Sequence, residues 1–321
     1  MTAPVEAQSV TALDRAAPFY VAGHRGLVGG AVWRALEATG FTTLIGRSSA
    51  DLDLRDRAAV FAFFDEMRPT YVIVAAAKVG GILANDTYPA DFISDNLRIQ
   101  VNVLDAAAEH GVERLLFLGS SCIYPRLAPQ PIPEDALLTG ALEPTNAAYA
   151  VAKIAGIAQV QALRKQHGRR YVSAMPTNLY GPGDNFDLKT SHVLPALIRR
   201  FHEATQRGDS SITLWGSGTP RREFLHVDDL AAACLFLLEH YDGDEPVNVG
   251  VGTDVSIRDL AELVMSITGF RGEIGWDMSK PDGTPRKLLD VSRLTGLGWT
   301  ATIPLEDGIR STYDWYRANL S

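Results

Sequence analysis

The sequence has little cysteine and lacks any long apolar run. Its 321 residues include two cysteines, Cys122 and Cys234, which exclude a disulfide framework and suit a reducing compartment. No stretch of ~18 apolar residues is present to span a bilayer, and the first residues lack the basic start and apolar core of a secretory signal. We therefore expect a cytoplasmic protein without a membrane segment.

Basic residues are also fewer than acidic ones, with 30 Lys and Arg against 38 Asp and Glu. The net charge is −8, which argues against non-specific nucleic-acid binding, so local basic residues must capture any anionic ligand. No internal repeat or low-complexity segment occurs. At about 150 residues per domain, the length predicts two domains. The polar, alanine-rich residues 1–18 are typical of a flexible tail.

Short apolar strands and amphipathic helices alternate after the tail, from "FYVA" to "RLLFLGSS". This alternation predicts an α/β fold with a Rossmann-like, doubly wound parallel sheet and a smaller α/β substrate-binding domain. We assign 19–180 to the Rossmann domain, with a returning segment at about 224–250. Residues 181–321 form mainly the substrate-binding domain.

The first strand-to-helix turn reads "GHRGLVGG". Gly23, Gly26 and Gly29 let the backbone turn tightly and approach a pyrophosphate at the helix N-terminus, with Leu27 and Val28 opening the helix. The GxxGxxG spacing departs from GxGxxG, so a turn that merely packs helix on strand is the alternative. The strand-turn-helix context favours a dinucleotide site.

Arg47 follows the second predicted strand, where NAD enzymes place a carboxylate. A guanidinium there suits a 2′-phosphate and predicts NADP, with Arg25 as a second clamp. The alternative for both arginines is solvated surface charge. Asp53 either touches the adenine or caps the next helix.

"YAVAK" places Tyr149 and Lys153 on one face of a predicted helix. At that spacing the ammonium is expected to lower the pKa of the phenol. With the glycine loop and Ser120 at a strand end, the set resembles the short-chain dehydrogenase/reductase superfamily. The resemblance implies that Tyr149 protonates a carbonyl oxygen, Ser120 hydrogen-bonds it, and Lys153 also holds the nicotinamide ribose.

Purely structural roles are the alternatives for this set: Tyr149 as a partly buried tyrosine on an amphipathic helix, and Ser120 as a capping hydroxyl. A hydrolytic role for Ser120 would require a GxSxG elbow, which is missing.

The second half of the chain carries paired basic residues that together suit a diphosphate, with solvated surface charge as the alternative for any one of them alone. They are Arg199, Arg200, Arg221, Arg222, Arg286 and Lys287. Trp215 either stacks on a ring of the ligand or packs in the core. No metal site is predicted: Asp228 or Asp229 beside His226 is better explained as a helix N-cap, and Cys234 as a core residue.

Longer motifs are more specific, among them "LLFLGSSCIYP", "MPTNLYGPGDNF", "WGSGTPRREFLHVDDLA" and "KPDGTPRKLLDVSRL". From about Phe19 to the C-terminus, the chain resembles the GDP-L-fucose synthases of the extended short-chain dehydrogenase/reductase superfamily. The resemblance implies 3,5-epimerisation of GDP-4-keto-6-deoxy-D-mannose, NADPH-dependent reduction at C4, and a homodimer.

The same resemblance implies residue roles. Cys122 and His192 match the base and acid of epimerisation, and Arg200 stands where some relatives have lysine. Further cofactor contacts are implied for Leu118, Gly119, Ser120, Ser121, Lys153, Pro176, Thr177, Asn178, Leu179 and His192. Substrate contacts are implied for Arg200, Trp215, Arg222 and Asp282.

A thiol beside Ser120 makes chemical sense in such an enzyme. Protons next to a ketone can be removed if the enolate oxygen is held, and a cysteine of modestly lowered pKa is a usable base. The alternatives are a core role for Cys122 and a structural role for His192 at a helix start. Two other functions stay open: reduction, with or without epimerisation, of a different 4-keto sugar nucleotide, and an NADP-sensing protein without catalysis.

Overall fold

The computed structural model describes residues 12–188, 190–280 and 282–320, with only the backbone of Ile82. Its main feature is a six-stranded parallel sheet. The strands are β1 (Phe19–Ala22), β2 (Leu44–Ile45), β3 (Tyr71–Val74), β4 (Arg114–Leu118), β5 (Arg170–Pro176) and β10 (Val247–Val249). Their order across the sheet is β2-β1-β3-β4-β5-β10. The predicted Rossmann-like, doubly wound α/β fold is confirmed.

The chain reverses direction across the sheet between β1 and β3. Ligands of doubly wound sheets bind at this kind of switch point, outside the carboxyl ends of the strands. The strand register keeps these ends level, with Ala22 opposite Val74 and Leu118 opposite Ala174. The loops that follow β1, β4 and β5 therefore share one edge of the sheet.

Helices cover both faces of this sheet. They are α1 (Leu27–Ala38), α2 (Arg57–Met67), α4 (Pro89–Glu109), α5 (Ala147–His167) and α7 (Val227–His240), with a short α3 (Ile82–Thr87). α1 and α7 bury their apolar sides in one core, and α2, α4 and α5 in the other. Strands β1, β3 and β4 are buried along their whole length, which explains their unbroken apolar sequences.

The other elements build a smaller lobe with its own core around Phe201, Leu260 and Ile309. Its helices are α6 (Val193–Arg207), α8 (Ile257–Thr268) and α10 (Leu305–Asn319), whereas α9 (Ser292–Gly296) buries Leu294 in the core of the main sheet. Its strands are β6 (Asn178–Tyr180), β7 (Ser211–Trp215), β8 (Arg221–Arg222), β9 (Phe224–His226), β11 (Val255–Ser256), β12 (Glu273–Asp277) and β13 (Arg286–Lys287). They pair as β11-β8-β13, β12-β7 and β6-β9.

Both ends of the predicted Rossmann segment can be compared with the structure. Of the predicted tail, residues 1–11 lie outside the described residues. Leu13 is buried in the core and Arg15 pairs with Glu239, so residues 12–18 pack against the domain instead of forming a flexible tail. The returning segment at about 224–250 supplies α7 and the edge strand β10. Within the described ranges, no helix is both long enough and apolar enough to cross a membrane.

Candidate active site

The glycine loop joins β1 to α1, and glycine is present at its three positions for different physical reasons. Gly23 has φ +85°, and a Cβ there would lie 2.8 Å from the Ala76 nitrogen. A Cβ on Gly29 would lie 2.1 Å from the Gly23 carbonyl oxygen, so these two glycines are required by the fold itself. Gly26 meets only ordinary contact at 3.5 Å and caps α1 without a side-chain hydrogen bond. Because Gly26 has no side chain, the free N–H groups at the N-terminus of α1 remain open to an anion.

Two guanidinium groups stand beside this loop and form no ion pair with an acidic residue in the described part of the chain. Arg47 follows β2, and its guanidinium donates to the Gly46 carbonyl and lies over the Phe63 ring at 5.6 Å. Arg25 forms no hydrogen bond or ion pair with any residue whose position is described. After burial, the charges of Arg25 and Arg47 both contribute to lowering the pKa of His24, which places the two arginines near one another.

Asp53 does not take its predicted capping role, and its predicted contact with the adenine stays a prediction. Its carboxylate accepts hydrogen bonds from Arg55 at 2.9 Å, and that bond is the main cause of its lowered pKa. The cap of α2 is Asp56, whose side chain accepts from the Ala59 amide. The predicted capping role of Asp53 is wrong, because the helix begins at Arg57, directly after Asp56.

Ser120, Tyr149 and Lys153 converge where β4 ends. Ser120 caps a short 3-10 helix, Ser121–Ile123, and its Oγ accepts from the Cys122 amide at 3.2 Å. Lys153 on α5 is buried, and its Nζ donates to the Leu118 carbonyl at 2.8 Å and lies 6.0 Å from the centroid of the Tyr149 ring. A Cβ on Gly119 would lie 2.4 Å from the Met175 sulfur, so a larger residue there would have to displace the Met175 side chain.

The pKa values differ from the sequence expectation. Burial raises the pKa of the Tyr149 phenol, the Cys122 charge adds to this, and a hydrogen bond with Ser120 opposes it. Burial lowers the pKa of the Lys153 ammonium to about 8. The expectation that Lys153 lowers the phenol pKa is wrong for the protein alone, because desolvation dominates. Tyr149 therefore stays protonated at neutral pH, the state that a proton donor requires.

Cys122 lies next to this set and touches a lysine. The Lys287 ammonium donates to the Cys122 Sγ at 3.5 Å. Burial opposes ionisation of the thiol, but Lys287, a hydrogen bond from Ser120 and the charge of Arg222 together lower its pKa. A lowered thiol pKa raises the thiolate fraction at neutral pH. A cavity beside the thiol is lined by both Cys122 and Lys287, together with Tyr124, Asn146 and Thr284.

Two matching segments explain how the basic residues reach the thiol. "TPRR" carries β8 and "TPRK" carries β13, and these strands pair in parallel with Arg222 opposite Lys287 and Arg221 opposite Arg286. Because side chains alternate along a strand, the two pairs face opposite ways. Arg221 and Arg286 both bind the buried Asp254 carboxylate.

The six basic residues predicted to suit a diphosphate therefore fall into two groups, those paired with acidic residues and those that are not. Arg199 binds Glu203, and Arg221 and Arg286 share Asp254. Arg200, Arg222 and Lys287 form no ion pair with an acidic residue of known position. These three remain available to an anionic ligand. The motif "TPR" followed by a basic residue occurs twice in the sequence, and this repeat is the signal that could have predicted the pairing of Arg222 with Lys287.

His192 caps α6 with its backbone, and its side chain forms no capping hydrogen bond. The surrounding protein, and then the Lys287 charge, lower the pKa of its imidazole. Lys287 thus acts electrostatically on both predicted epimerisation residues, Cys122 and His192. Arg200 lies two turns further along the same helix.

Trp215 and Asp282 meet at one turn of the smaller lobe. Trp215 ends β7 with 66% of its surface exposed, so it does not pack in the core. The Asp282 carboxylate accepts from the Ser217 amide at 2.9 Å and its hydroxyl at 2.7 Å, which fixes the turn beside Trp215. A Cβ on Gly283 would lie 2.9 Å from Arg222, so the backbone next to Asp282 lies beside that guanidinium.

The segment after β5 is held from behind by Glu223. Its carbonyl oxygen accepts from the Asn178 amide at 2.8 Å and from the Thr177 hydroxyl at 3.4 Å. Its fully buried carboxylate accepts from the amides of Val251, Gly252 and Leu289. Pro176 ends β5, and Leu179 lies half-buried in β6.

A second buried network fixes the Cys122 segment. The Tyr124 hydroxyl donates to the Asn248 Oδ1 at 2.6 Å, and the Asn248 side chain donates to the carbonyls of Ile132 and Asp290. Sequence reasoning missed both Glu223 and Asn248. Their partners are far away in the chain, and a single Glu or Asn has no pattern that announces burial.

The start of α7 corrects another prediction. The N-cap is His226, whose Nδ1 accepts from the Asp228 amide at 3.2 Å. Asp228 pairs with Arg34, and Asp229 accepts from Thr302 and Ile303. Neither aspartate is the cap, because α7 already begins at Val227. Cys234 is fully buried, and burial raises the pKa of its thiol to about 12.

Comparison with known proteins adds to this geometry. The model of the NAD dependent epimerase/dehydratase family matches residues 19–250. GDP-L-fucose synthase 1 of Arabidopsis thaliana is 62% identical over 96% of this chain and 95% of its own length. GDP-L-fucose synthase of Escherichia coli (strain K12) is 53% identical over 94% of this chain and 96% of its own.

A solved structure shares the fold over nearly the whole chain. The GDP-L-fucose synthetase from Naegleria fowleri bound to NADP superposes with a TM-score of 0.88 at 30% identity, and the match covers 97% of each chain.

Proposed function

The chain belongs to the NAD dependent epimerase/dehydratase family, in its GDP-L-fucose synthase group, and on that premise we infer that it converts GDP-4-keto-6-deoxy-D-mannose to GDP-L-fucose. The reaction inverts C3 and C5 and then reduces the C4 ketone with NADPH. The observation that carries this inference is the convergence of two sets of groups at the end of β4. Ser120, Tyr149 and Lys153 suit carbonyl reduction, and Cys122 held by Lys287 suits proton abstraction.

Epimerisation uses the thiol first. We propose that the Cys122 thiolate removes the proton at C3 or C5, while Tyr149 and Ser120 hold the developing enolate oxygen. His192 returns a proton from the opposite face, which inverts the centre. Burial and then the Lys287 charge lower the pKa of His192, which disfavours its imidazolium form in the free protein.

The reduction that follows uses the other set. NADPH, when bound, supplies the hydride that C4 accepts. Tyr149 donates its proton to the C4 oxygen, and Ser120 orients that oxygen by a hydrogen bond. Lys153, anchored on the Leu118 carbonyl, keeps its remaining N–H donors for the ribose hydroxyls and the phenol oxygen.

The residues at the sheet edge fit NADP. The N-terminus of α1 at Gly26, which has no side-chain cap, suits the pyrophosphate. Arg25 and Arg47, which form no ion pair with a described residue, suit the 2′-phosphate. Asn178 and its neighbours border the site where β5 ends. Arg200, Arg222 and Lys287 suit the diphosphate of the substrate, and the exposed Trp215 suits its guanine.

Arg47→Ala should weaken the binding of NADPH much more than the binding of NADH. The 2′-phosphate is the only difference between the two cofactors, and loss of a charge-assisted contact costs about 10-fold or more in affinity. Steady-state KM values for both cofactors measure this, with Arg55→Ala as the control because Arg55 binds Asp53. Equal losses for NADPH and NADH would remove Arg47 from the phosphate site.

Lys287→Met should shift the pH profile of epimerisation upward. Lys287 lowers the pKa of both Cys122 and His192, so without it both the acidic and the alkaline limb move to higher pH. Solvent-deuterium exchange into the keto sugar at saturating substrate measures the profile. The exposed Lys165 on α5 offers a control, Lys165→Met. A uniform loss of rate at every pH, with the limbs unmoved, would assign Lys287 to substrate binding alone.

We also propose a homodimer and a cytoplasmic location. Val101 on α4 and Val151 on α5 are exposed on adjacent helices, which supports a face covered by a second copy of the chain. The two free cysteines suit the reducing compartment of the cytoplasm. Sedimentation equilibrium should give twice the mass of the chain, and Val151→Arg should give the single mass. A wild-type protein of single mass would contradict the dimer.

The proposed function is tested by product identification. The purified protein is incubated with GDP-4-keto-6-deoxy-D-mannose and NADPH, and the nucleotide sugar is analysed by NMR. The expected product is GDP-L-fucose, formed with one NADPH oxidised per molecule. A product reduced at C4 but with unchanged C3 and C5 would show a simple reductase.

A further inference from the structure

A second basic cavity lies at the amino ends of β4 and β5, the opposite edge of the sheet from the candidate active site. Its volume is about 320 Å³, and its lining includes Arg114 and Arg170, the first residues of β4 and β5, and Arg169 in the loop before β5. Arg114 and Arg170 are register partners on adjacent parallel strands. None of these residues belongs to the site described above, so the cavity is a separate feature.

One nitrogen of the Arg114 guanidinium lacks a hydrogen-bond partner. The residue is 4% exposed, and its buried Nη2 has no hydrogen-bond acceptor among the described residues. The buried Nε of Arg169 also lacks one. A guanidinium stays charged and carries five N–H donors, so burying it without an anion is strongly unfavourable.

The nearby carboxylates do not meet this need. Both oxygens of Asp242 are engaged, by Arg164 at 2.9 Å and by Arg170 at 2.7 Å. Glu113 lines the cavity, but it is exposed and forms no ion pair with a residue of described position. Of the three guanidinium groups on the cavity wall, Arg170 is therefore paired with Asp242, whereas Arg114 and Arg169 bind no carboxylate of a described residue.

We propose that this cavity binds a phosphate group, held by Arg114 and Arg169. Guanidinium forks match phosphate oxygens in pairs, and a dianion offsets the excess of positive charge. A cavity of this volume also has space for the body of a small phosphate ester. Free phosphate and a phosphate ester share the chemistry, and the test separates them.

The test is calorimetric titration of inorganic phosphate into the full chain, at constant ionic strength and with NADP⁺ and GDP at saturation to occupy other phosphate sites. Wild type should bind one phosphate per chain. Arg114→Met, which removes a buried unpaired charge, should weaken binding at least ~10-fold. Glu113→Gln should tighten it, because a like charge leaves the wall. Arg207→Met, which alters an exposed arginine paired with Asp209, is the control and should bind as wild type does.

A second titration uses glucose 6-phosphate. Tighter binding than inorganic phosphate identifies an ester as the occupant, and equal or weaker binding identifies free phosphate. If Arg114→Met does not fold, Arg169→Met replaces it and should show the same loss. Absence of phosphate binding in wild type, or equal binding by Arg114→Met and Arg207→Met, would overturn the proposal, whatever the reaction at the other edge of the sheet.

Discussion

Tyr149→Phe should lower the rate of ketone reduction by on the order of 10²–10⁴-fold, the usual contribution of a positioned general acid. Burial keeps the phenol protonated at neutral pH, so Tyr149 enters the reaction carrying the proton that the C4 oxygen needs. Phenylalanine keeps the ring and loses the proton. NADPH oxidation at saturating keto sugar measures the loss, and fluorescence titration should show that NADPH still binds.

The control for this variant is Tyr88→Phe, since Tyr88 is exposed and lies outside the site. It should reduce the ketone at the wild-type rate. If Tyr149→Phe did the same, the proton would have to come from another donor, and the role given to α5 would be wrong.

Cys122→Ala should abolish exchange of solvent deuterium into C3 and C5 of the keto sugar without NADPH. Enolisation needs a base and no hydride, so the wild type should exchange both positions. Cys122→Ser should be nearly as inactive, because a hydroxyl is a far weaker base than a thiol. With NADPH, both variants should slowly reduce the unepimerised ketone, since Ser120, Tyr149 and Lys153 remain.

Cys234→Ala is the matched control, because Cys234 is the other cysteine and is fully buried in a core. It should exchange deuterium as the wild type does. His192→Asn should differ from the Cys122 variants by impairing return of the proton rather than its removal. Exchange by Cys122→Ala at the wild-type rate would reduce the thiol to a packing residue.

The fold and the reductase set could be predicted because their signals are local. Unbroken apolar strands alternating with helices predict the parallel sheet, and Gly23, Gly26 and Gly29 mark its first turn within seven residues. Tyr149 and Lys153 are one helical turn apart. In each case the spacing fixes the geometry, since helix and strand periodicities decide which side chains share a face.

The Cys122–Lys287 contact could not be predicted in the same way. These residues are 165 positions apart, and they meet because β13 pairs with β8 and turns Lys287 inward. Sequence reasoning grouped Lys287 with five arginines as candidates for diphosphate binding and could not tell which of the six are neutralised within the protein. The buried Asp254, which neutralises Arg221 and Arg286, has no pattern in the sequence.

Burial also explains the expectations that were wrong. The phenol pKa of Tyr149 was expected to fall because a lysine is near, but desolvation is visible only once the fold surrounds the ring. The N-caps at Asp56 and His226 were missed because helix ends are set by packing to within a residue or two.

The central claim is that one site performs two epimerisations and one reduction on the same sugar. One reaction tests it directly: wild type, GDP-4-keto-6-deoxy-D-mannose and unlabelled NADPH in heavy water, with the product read by NMR. The account predicts GDP-L-fucose with deuterium at C3 and C5, from solvent, and protium at C4, from the cofactor. Protium at C3 and C5, or a C4-reduced product with the starting configuration, would contradict it.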